Sequence, residues 1–253
     1  MNPTVYGTTR RSPMLLTCAI ASVLVALAVA ASAASAATPE YWKVKSPIKS
    51  KISYTWSTGQ LRWVRPSASE TWECLSSSGE GELTNATEGT LTLTLKNCKW
   101  KDSLNEVVSC TSATQEAGTI VTEPLKTHLY YGIDVKGTRR AVNDLSPAEG
   151  THIASFTCGG FWSFEWRGSL IGGFEHTNEE RSTNSLVVRR GSIPGEQEYK
   201  KYETLTAPTE CSKIASTSDY LEEHLSSWSE IAFETEVPVT ITFKESVEIH
   251  KPC

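Results

Sequence analysis

The stretch FTCGGFWSFEWRGSLIGG, residues 156–173, places four aromatic rings within six residues, beside a cysteine and between two Gly-Gly pairs. Such a cluster suits either an exposed platform for sugars or the inner face of a β-sheet. Polar and apolar residues alternate along it: the even positions are apolar at Phe156, Cys158, Trp162, Phe164, Trp166 and Leu170, and the odd positions are polar at Ser155, Thr157, Ser163, Glu165, Arg167 and Ser169. Only Phe161 and Ile171 break the pattern. Because successive side chains of a strand point to opposite faces, the alternation predicts a core strand.

The glycine pair at residues 159 and 160 predicts where this strand turns. A two-residue turn would put Phe156 opposite Ser163 and split the apolar residues between two faces. A three-residue loop, 159–161, pairs Phe156 with Phe164 and keeps them on one face. Glycine supplies the left-handed conformation that such loops need. We therefore predict this loop, or an uninterrupted strand with a bulge, with Glu165 outside beside Arg167 in an ion pair of little energetic value.

The same alternation recurs along the chain, separated by glycine-containing turns. Its apolar members are Ile52, Tyr54 and Trp56; Leu91, Leu93 and Leu95; Leu125, Leu129, Tyr131, Ile133 and Val135; and Val237, Val239, Ile241, Phe243, Val247 and Ile249. One polar face per strand argues against a buried parallel sheet. A helix over 219–228, with Ser218 as N-cap, is the minor alternative to a strand there. We predict a single all-β domain over 37–253: an antiparallel sandwich or barrel, of jelly-roll or up-and-down topology.

The first 36 residues have the pattern of a secretory signal peptide. Arg10 and Arg11 precede an apolar run over 14–31, and an A-x-A site at 34–36 predicts cleavage before Ala37. An uncleaved membrane anchor is the alternative. We expect a secreted protein, extracellular or in the cell envelope, with no membrane span after cleavage. The formal net charge of −5, which loss of the two arginines makes more negative, argues against nucleic acid or an anionic membrane surface as a general partner.

Six cysteines follow the signal segment, and an even number in an exported chain predicts disulfides. No C-x-x-C spacing indicates a metal or redox site. Cys98 and Cys110 flank a segment that we interpret as a hairpin loop, which they would close. Cys158 faces the core, and Cys74 shares its parity with Trp72, which suits an inward partner. The topology thus favours the pairs Cys74–Cys158, Cys98–Cys110 and Cys211–Cys253, although spacing alone does not choose among the alternatives.

A family resemblance rests on the region from residue 74 to 173. It includes Cys74 before a Gly-x-Gly turn at Gly79 and Gly81, a strand ending at Cys98, Cys110-Thr111-Ser112, Ile120-x-Thr122-x-x-Leu125, and Phe156-x-Cys158. These features resemble a large group of uncharacterised secreted proteins from high-GC soil bacteria. The resemblance implies secretion, an all-β fold and the first two disulfides, and it implies no activity. Cys211 and Cys253 lie outside the shared pattern.

No motif identifies a catalytic, cofactor or metal site. Glu165 among aromatics is typical of a glycosidase acid, but hydrolysis needs a second carboxylate at a fixed distance, and the candidates carry no signature: Glu73, Glu80, Glu82, Glu175 and Glu179. The histidines are scattered, at His128, His152, His176, His224 and His250. The sequence Asn85-Ala86-Thr87 has the form of a glycosylation acceptor, and we interpret it as a turn.

The tryptophans are the main functional hint. Trp100 lies in the predicted Cys98–Cys110 loop between Lys99 and Lys101, and of the tryptophans it is the candidate for exposure, where it would stack on a sugar or dock a partner. The favoured alternative is a tryptophan folded over a sheet edge. The first interpretation of function is a non-catalytic β domain that is secreted or associated with the envelope and binds an extracellular protein or glycan. The second is a glycan-binding module or weak glycosidase, and the third is a carrier of small apolar ligands.

Overall fold

The computed structural model describes residues 42–44, 51–65, 67–133, 136, 139–189, 196–202, 216–224, 228–233 and 237–249, and within them all regular secondary structure is β. The strands are β1 (Trp42–Val44), β2 (Ile52–Thr58), β3 (Leu61–Arg65), β4 (Glu70–Cys74), β5 (Ser76–Leu83), β6 (Glu88–Lys96), β7 (Lys99–Lys101), β8 (Val107–Thr111), β9 (Ile120–Val121), β10 (Leu125–Ile133), β11 (Arg139–Pro147), β12 (His152–Cys158), β13 (Trp162–Gly168), β14 (Leu170–Phe174), β15 (Glu180–Val188), β16 (Glu196–Tyr202), β17 (Ser216–His224), β18 (Trp228–Phe233) and β19 (Val237–Ile249). The predicted all-β, antiparallel class is confirmed. The segment considered for a helix forms strands β17 and β18.

Eight strands close on themselves as an antiparallel ring. The order is β2–β5–β6–β10–β11–β14–β15–β19, and β19 pairs back onto β2, with Phe243 opposite Tyr54. Strands β1, β9 and β16 add pairings to β19, β6 and β10. We call this set the first ring. Because the ring closes, each of its eight strands is paired on both sides over at least part of its length, which limits the open edges of the sheet.

The remaining strands form a second sheet, ordered β3–β4–β7–β8–β12–β13. Strand β17 pairs with β13, β18 pairs with β3, and the two pair with each other. The chain visits the two sets in alternation, mostly two strands at a time, so that β2 and β5 of the first ring continue into β3 and β4 of the second sheet. All described residues belong to one unit of the chain, 35–253, and the predicted signal segment lies outside them.

The hairpin predicted from residues 156–173 is present. Phe156 pairs with Phe164 and Cys158 with Trp162 across a three-residue loop, and Gly159 and Gly160 have φ of 62° and 81°. Phe156, Phe164 and Trp166 are buried, as the alternation predicts. Trp162 was expected inside but is 42% exposed, because it is the first residue of β13 after the loop and has little covering it.

Burial parity changes where the chain passes from one set to the other. In β6 the inward residues are odd, ending at Leu95, whereas Cys98 and Trp100 are inward on even positions. Asn97, between them, has φ of 54°, the left-handed conformation that asparagine tolerates. The shift corrects the prediction for Trp100: it lies in strand β7, not in a loop, and is only 5% exposed.

Inside the first ring, aromatic rings lie over glycines of the neighbouring strand. Tyr54 and Trp56 are paired with Gly81 and Gly79 of β5. A Cβ at Gly81 would overlap the Tyr54 ring and the backbone oxygen of Thr90. The glycines therefore make room for large side chains whose burial supplies much of the hydrophobic stabilisation of the ring.

The interior of the second sheet is a column of aromatic rings. Centroid separations are 4.8 Å for Trp63–Trp166, 4.7 Å for Phe156–Trp166, 5.7 Å for Phe156–Phe164, 5.5 Å for Trp72–Phe164 and 5.0 Å for Trp100–Phe164. Several of these pairs meet edge to face, a geometry that adds stabilisation beyond burial. The column ends at Trp162, whose ring lies 6.0 Å from that of Trp100.

The disulfides differ from the predicted pairs. Cys74 is bonded to Cys98, and Cys110 to Cys158. Cys98 and Cys110 are indeed neighbours, since the Cys110 amide donates to the Cys98 carbonyl at 3.0 Å, but each side chain bonds to the strand on its other side. Cys74, Cys110 and Cys158 lie on β4, β8 and β12, and Cys98 directly precedes β7, so each disulfide joins parts of different hairpins. The proposed Cys211–Cys253 pair lies outside the described residues.

Candidate binding surface

Exposed apolar side chains collect at the tips of two hairpins of the second sheet. Leu104 is 77% exposed and Val107 57% on the β7–β8 hairpin, and Phe161 is 72% exposed and Trp162 42% on the β12–β13 hairpin. We call these four residues the tip patch. The other large apolar side chain with comparable exposure among the described residues is Leu75, at 52%, which follows β4 where the chain enters the first ring. Contiguous apolar exposure of this kind marks interaction sites more often than scattered single residues do.

The two hairpins lie side by side. Cys110 of β8 pairs with Cys158 of β12, and their disulfide joins the hairpins next to the tips. Beyond it, the Gly159 amide donates to the Ser109 carbonyl at 3.0 Å. A Cβ at Gly159 would stand 3.5 Å from the Val108 side chain, so the backbone of one tip contacts the other hairpin.

Local hydrogen bonds fix the shape of the β7–β8 tip. The Asp102 carboxylate accepts the backbone amides of Leu104 at 2.9 Å and Glu106 at 2.8 Å, and the Asn105 amide donates to the Asp102 carbonyl at 3.1 Å. Asn105 takes up a left-handed φ of 68° to complete the turn. Asp102 therefore holds Leu104 outward at the apex, as short polar side chains do in turns.

The β12–β13 tip is held by the aromatic column. The Trp162 ring is 5.5 Å from Phe161 and rests edge-on against buried Trp100. A half-exposed tryptophan whose inner edge is packed loses little conformational entropy on binding, which is a property of interface hot spots. Trp100 therefore supports the exposed aromatic pair instead of being the exposed group.

The two lysines of the predicted site lie on a strand, not in the loop that the sequence predicted. Lys99 and Lys101 are exposed on the outer side of β7, with Trp100 between them pointing inward. Within the described ranges neither ammonium has a carboxylate at ion-pair distance. Lys101 is paired in register with Val107 of the tip patch, so a positive charge stands directly behind the apolar apex.

Sequence reasoning missed Leu104 and Val107 because a short segment between two cysteines reads as an undifferentiated loop. Phe161 did carry a signal, since it is one of two residues that break the alternation of 156–173 beside a glycine pair. The three-residue loop that keeps the strands in register places Phe161 in the loop, where its large aromatic side chain cannot point into the core. That exception marked the loop, whereas the exposure of Trp162, a regular even-position aromatic, had no signal in the alternation.

Glu165 has the surroundings of an exposed ion-pair cluster. Its carboxylate lies 3.1 Å from the Arg167 guanidinium on the same strand and 3.3 Å from His152 Nε2 on β12. The other carboxylates considered with it are elsewhere: Glu80 and Glu82 are on β5 of the first ring, and Glu179 pairs with Arg181 at 2.6 Å. Glu73 is on β4 of the second sheet. The Glu165 carboxylate itself thus has basic neighbours, Arg167 and His152.

An open polar groove of about 540 Å³ crosses the outer side of β19, β2, β5 and β6. Its polar lining consists of Ser53, Thr55, Glu80, Glu82, Thr90, Thr242 and Lys244. Lys51 and Glu82 form an exposed ion pair at 2.8 Å at its side. The aromatic residues at the groove, Tyr54 and Phe243, are buried at 5% and 3% exposure, so they offer no ring for stacking on a ligand.

An apolar cavity of about 40 Å³ in the interior is lined by Trp56, Trp63, Leu93, Trp166 and neighbours. That volume is an order of magnitude below the several hundred Å³ of a typical small-molecule pocket. A ligand held inside, as a carrier needs, has no room in this cavity.

The sequence with the form of a glycosylation acceptor lies in a turn. The Asn85 side-chain oxygen accepts hydrogen bonds from the backbone amides of Thr87 and Glu88, both at 2.8 Å. Asn85-Ala86-Thr87 therefore forms the turn that the sequence predicted. No group of three His, Cys, Asp or Glu side chains in the described ranges is arranged to hold a metal ion. The described part of the chain also contains no apolar helix of membrane-spanning length.

Comparisons with known protein families, curated proteins and solved structures found no match to this chain.

Proposed function

We propose that this protein is a secreted or envelope-associated, non-catalytic β domain that binds an extracellular partner through the tip patch. The observation that carries the proposal is the exposure of four large apolar side chains on two adjacent, internally braced hairpin tips. Exposed apolar groups reduce solubility without improving stability, so a rigid cluster of them fits a binding role.

The framework beneath the tips supports this reading. A closed first ring and a second sheet joined by two disulfides give the tips a fixed base. Disulfides form and persist in oxidising compartments, which fits export by the predicted signal segment. We also infer that the two sets of strands are the two tiers of one up-and-down barrel. The support is that the same eight stretches of chain follow each other in the same order in both.

Sedimentation with washed cell envelopes tests the binding role. The double variant Leu104→Ser/Phe161→Ser removes the two most exposed members of the patch and leaves the core untouched. We expect it to lose retention, and we expect Leu75→Ser, which removes an equally large exposed side chain elsewhere, to be retained like the native protein. Equal retention of all three proteins would show that the tip patch does not bind.

A second candidate is glycan binding in the polar groove of the first ring. Hydroxyls of Ser53, Thr55 and Thr242, with the Glu80 carboxylate and the Lys244 ammonium, offer both donors and acceptors to sugar hydroxyls. Pull-down on insoluble polysaccharides, with Glu80→Gln/Lys244→Gln compared against the tip double variant, separates the two sites. Retention lost only in the groove variant favours this candidate, and retention lost only in the tip variant favours the first.

A further inference from the structure

We infer that the surface bound by the tip patch is a phospholipid bilayer, into whose interfacial region the two hairpin tips insert. This inference rests on the proposed function and names its partner. It is argued from the shape, the size and the charge arrangement of the tips.

The shape is convex. Leu104 stands at the apex of one turn and Phe161 in the loop of the other, and both are more than 70% exposed, at 77% and 72%. Protruding apolar groups need a soft apolar medium or a matching pocket in a partner. A bilayer accepts them without any matching, and tryptophan and phenylalanine are the residues that settle at its interface.

The size favours lipid over protein. A stable protein interface uses about 20 to 30 residues on each side, whereas the tip patch has four. A second copy of the chain binding through this patch alone would bury far less surface than a lasting dimer needs. Insertion of a few side chains is, in contrast, the usual mode of peripheral membrane binding, in which the apolar groups enter the headgroup boundary by about 5–10 Å.

The charges lie at the right depth. Lys101 precedes Leu104 by three residues, so it stands at most about 10 Å behind the apex, since a strand rises about 3.3 Å per residue. Inserted apolar groups with lysines at headgroup level are the arrangement by which side chains anchor at an interface. Asp102 and Glu106 in the same hairpin offset the two lysines in formal charge, and the whole chain is acidic. We therefore assign the larger share of the binding to insertion, and a smaller share to attraction by anionic lipid.

Co-sedimentation of the full chain with vesicles tests the inference, with intact mass establishing whether residues 1–36 are present. Because the apolar N-terminal segment could itself bind vesicles, the readout is the difference between variants that share it. On phosphatidylcholine vesicles we expect Leu104→Ser/Phe161→Ser to partition on the order of tenfold more weakly than the native protein. Leu75→Ser should match the native protein, and equal melting temperatures would show that all variants are folded.

A second variant separates insertion from charge. Lys99→Gln/Lys101→Gln should bind phosphatidylcholine vesicles normally and lose affinity, by about fivefold per lysine at low salt, when phosphatidylglycerol is added. If the tip double variant binds vesicles as well as the native protein, the inference is wrong. If the native protein does not bind vesicles but its binding to envelopes or polysaccharide still depends on the tip patch, the inference of a lipid partner is wrong and the proposed binding function stands. If no binding depends on the tip patch, both are wrong.

Discussion

The chain passes repeatedly between the first ring and the second sheet, yet the two regions are stabilised by different contacts. In the first ring, β5 pairs with β6 along its whole length and β10 and β11 have nine residues each. In the second sheet, β7 has three residues and β4 and β8 have five. Both described disulfides and the aromatic column lie in the second sheet. Both regions contain short ladders, since β14 and β15 pair only at Gly173–Val187 and Phe174–Leu186. The disulfides and the aromatic column are therefore what distinguish the second sheet, which carries the two exposed tips.

The largest expected effect comes from removing the disulfides, which distinguish the second sheet from the first ring. Replacing Cys110 and Cys158 by serine opens a link with a sequence separation of 48, which contributes about 4 kcal/mol in the chain-entropy account. The Cys74 and Cys98 replacement, with a separation of 24, should cost about 3.5 kcal/mol. Urea unfolding measures both. Amide exchange should rise in the second sheet before the first ring, and uniform loss of protection would show that the two regions do not differ as described.

The pairing itself is checked by mass mapping of peptides from the non-reduced protein. Linked peptides containing Cys74 with Cys98, and Cys110 with Cys158, are expected. A Cys98–Cys110 peptide would restore the pairing predicted from sequence and remove the link between the two tip hairpins.

The next effect concerns the first ring, which is stabilised by side-chain packing and contains neither of the two described disulfides. Gly81→Ala adds a Cβ that overlaps the Thr90 backbone oxygen and the Tyr54 ring, so we expect a loss of about 3 kcal/mol. Gly59→Ala is the matched control, since nothing lies within 4 Å of its added Cβ, and it should change the free energy of unfolding by less than about 1 kcal/mol. Similar values for the two variants in thermal or urea unfolding would show that the close fit of aromatic rings on glycine does not matter.

A pH effect of intermediate size also belongs to the first ring. Burial raises the pKa of the Tyr54 hydroxyl above its usual range, against a smaller opposing contribution from its hydrogen bond with Thr127. The folded state therefore keeps the proton after the unfolded chain has lost it, near pH 10. Stability contributed by Tyr54 is complete below that pH and falls by about 1.4 kcal/mol per pH unit above it.

Tyr54→Phe removes this titration. Its unfolding free energy should be lower than that of the native protein at pH 8, because the hydroxyl donates to the Thr90 carbonyl at 2.9 Å. The difference should shrink between pH 10 and 11.5. Parallel decline of both proteins over that range would mean that Tyr54 ionises as readily in the folded ring as in the unfolded chain.

The sequence predicted features that depend on local register. The loop at 159–161 and the burial of Phe156, Phe164 and Trp166 follow from alternation within one hairpin, where a slip of one residue would expose the whole face. The inward sides of β2, β6 and β19 were predicted for the same reason. The outward position of Glu165 beside Arg167 follows as well.

Features that depend on how separate segments meet were not predictable in this way. Asn97 shifts the parity between β6 and β7, so alternation read from Leu95 gives no direction for Trp100. The cysteine pairing depends on which of two neighbours each side chain faces, and Cys98 has Cys74 on one side and Cys110 on the other. The tip patch required knowing that the β7–β8 and β12–β13 turns are adjacent, which is a property of the strand order.

The smallest effect concerns the outer face of the second sheet. Glu165 is about a third exposed and forms its ion pairs with Arg167 and His152 in contact with solvent, so Glu165→Gln should change the free energy of unfolding by less than about 0.5 kcal/mol. It should also leave binding to envelopes and vesicles unchanged, which makes it a polar control for the tip variants. A loss of several kcal/mol in urea unfolding would mean that the carboxylate is buried and that the outer face has a structural role. The second sheet would then be held from both sides, and the contrast with the first ring would no longer rest on its disulfides and aromatic column alone.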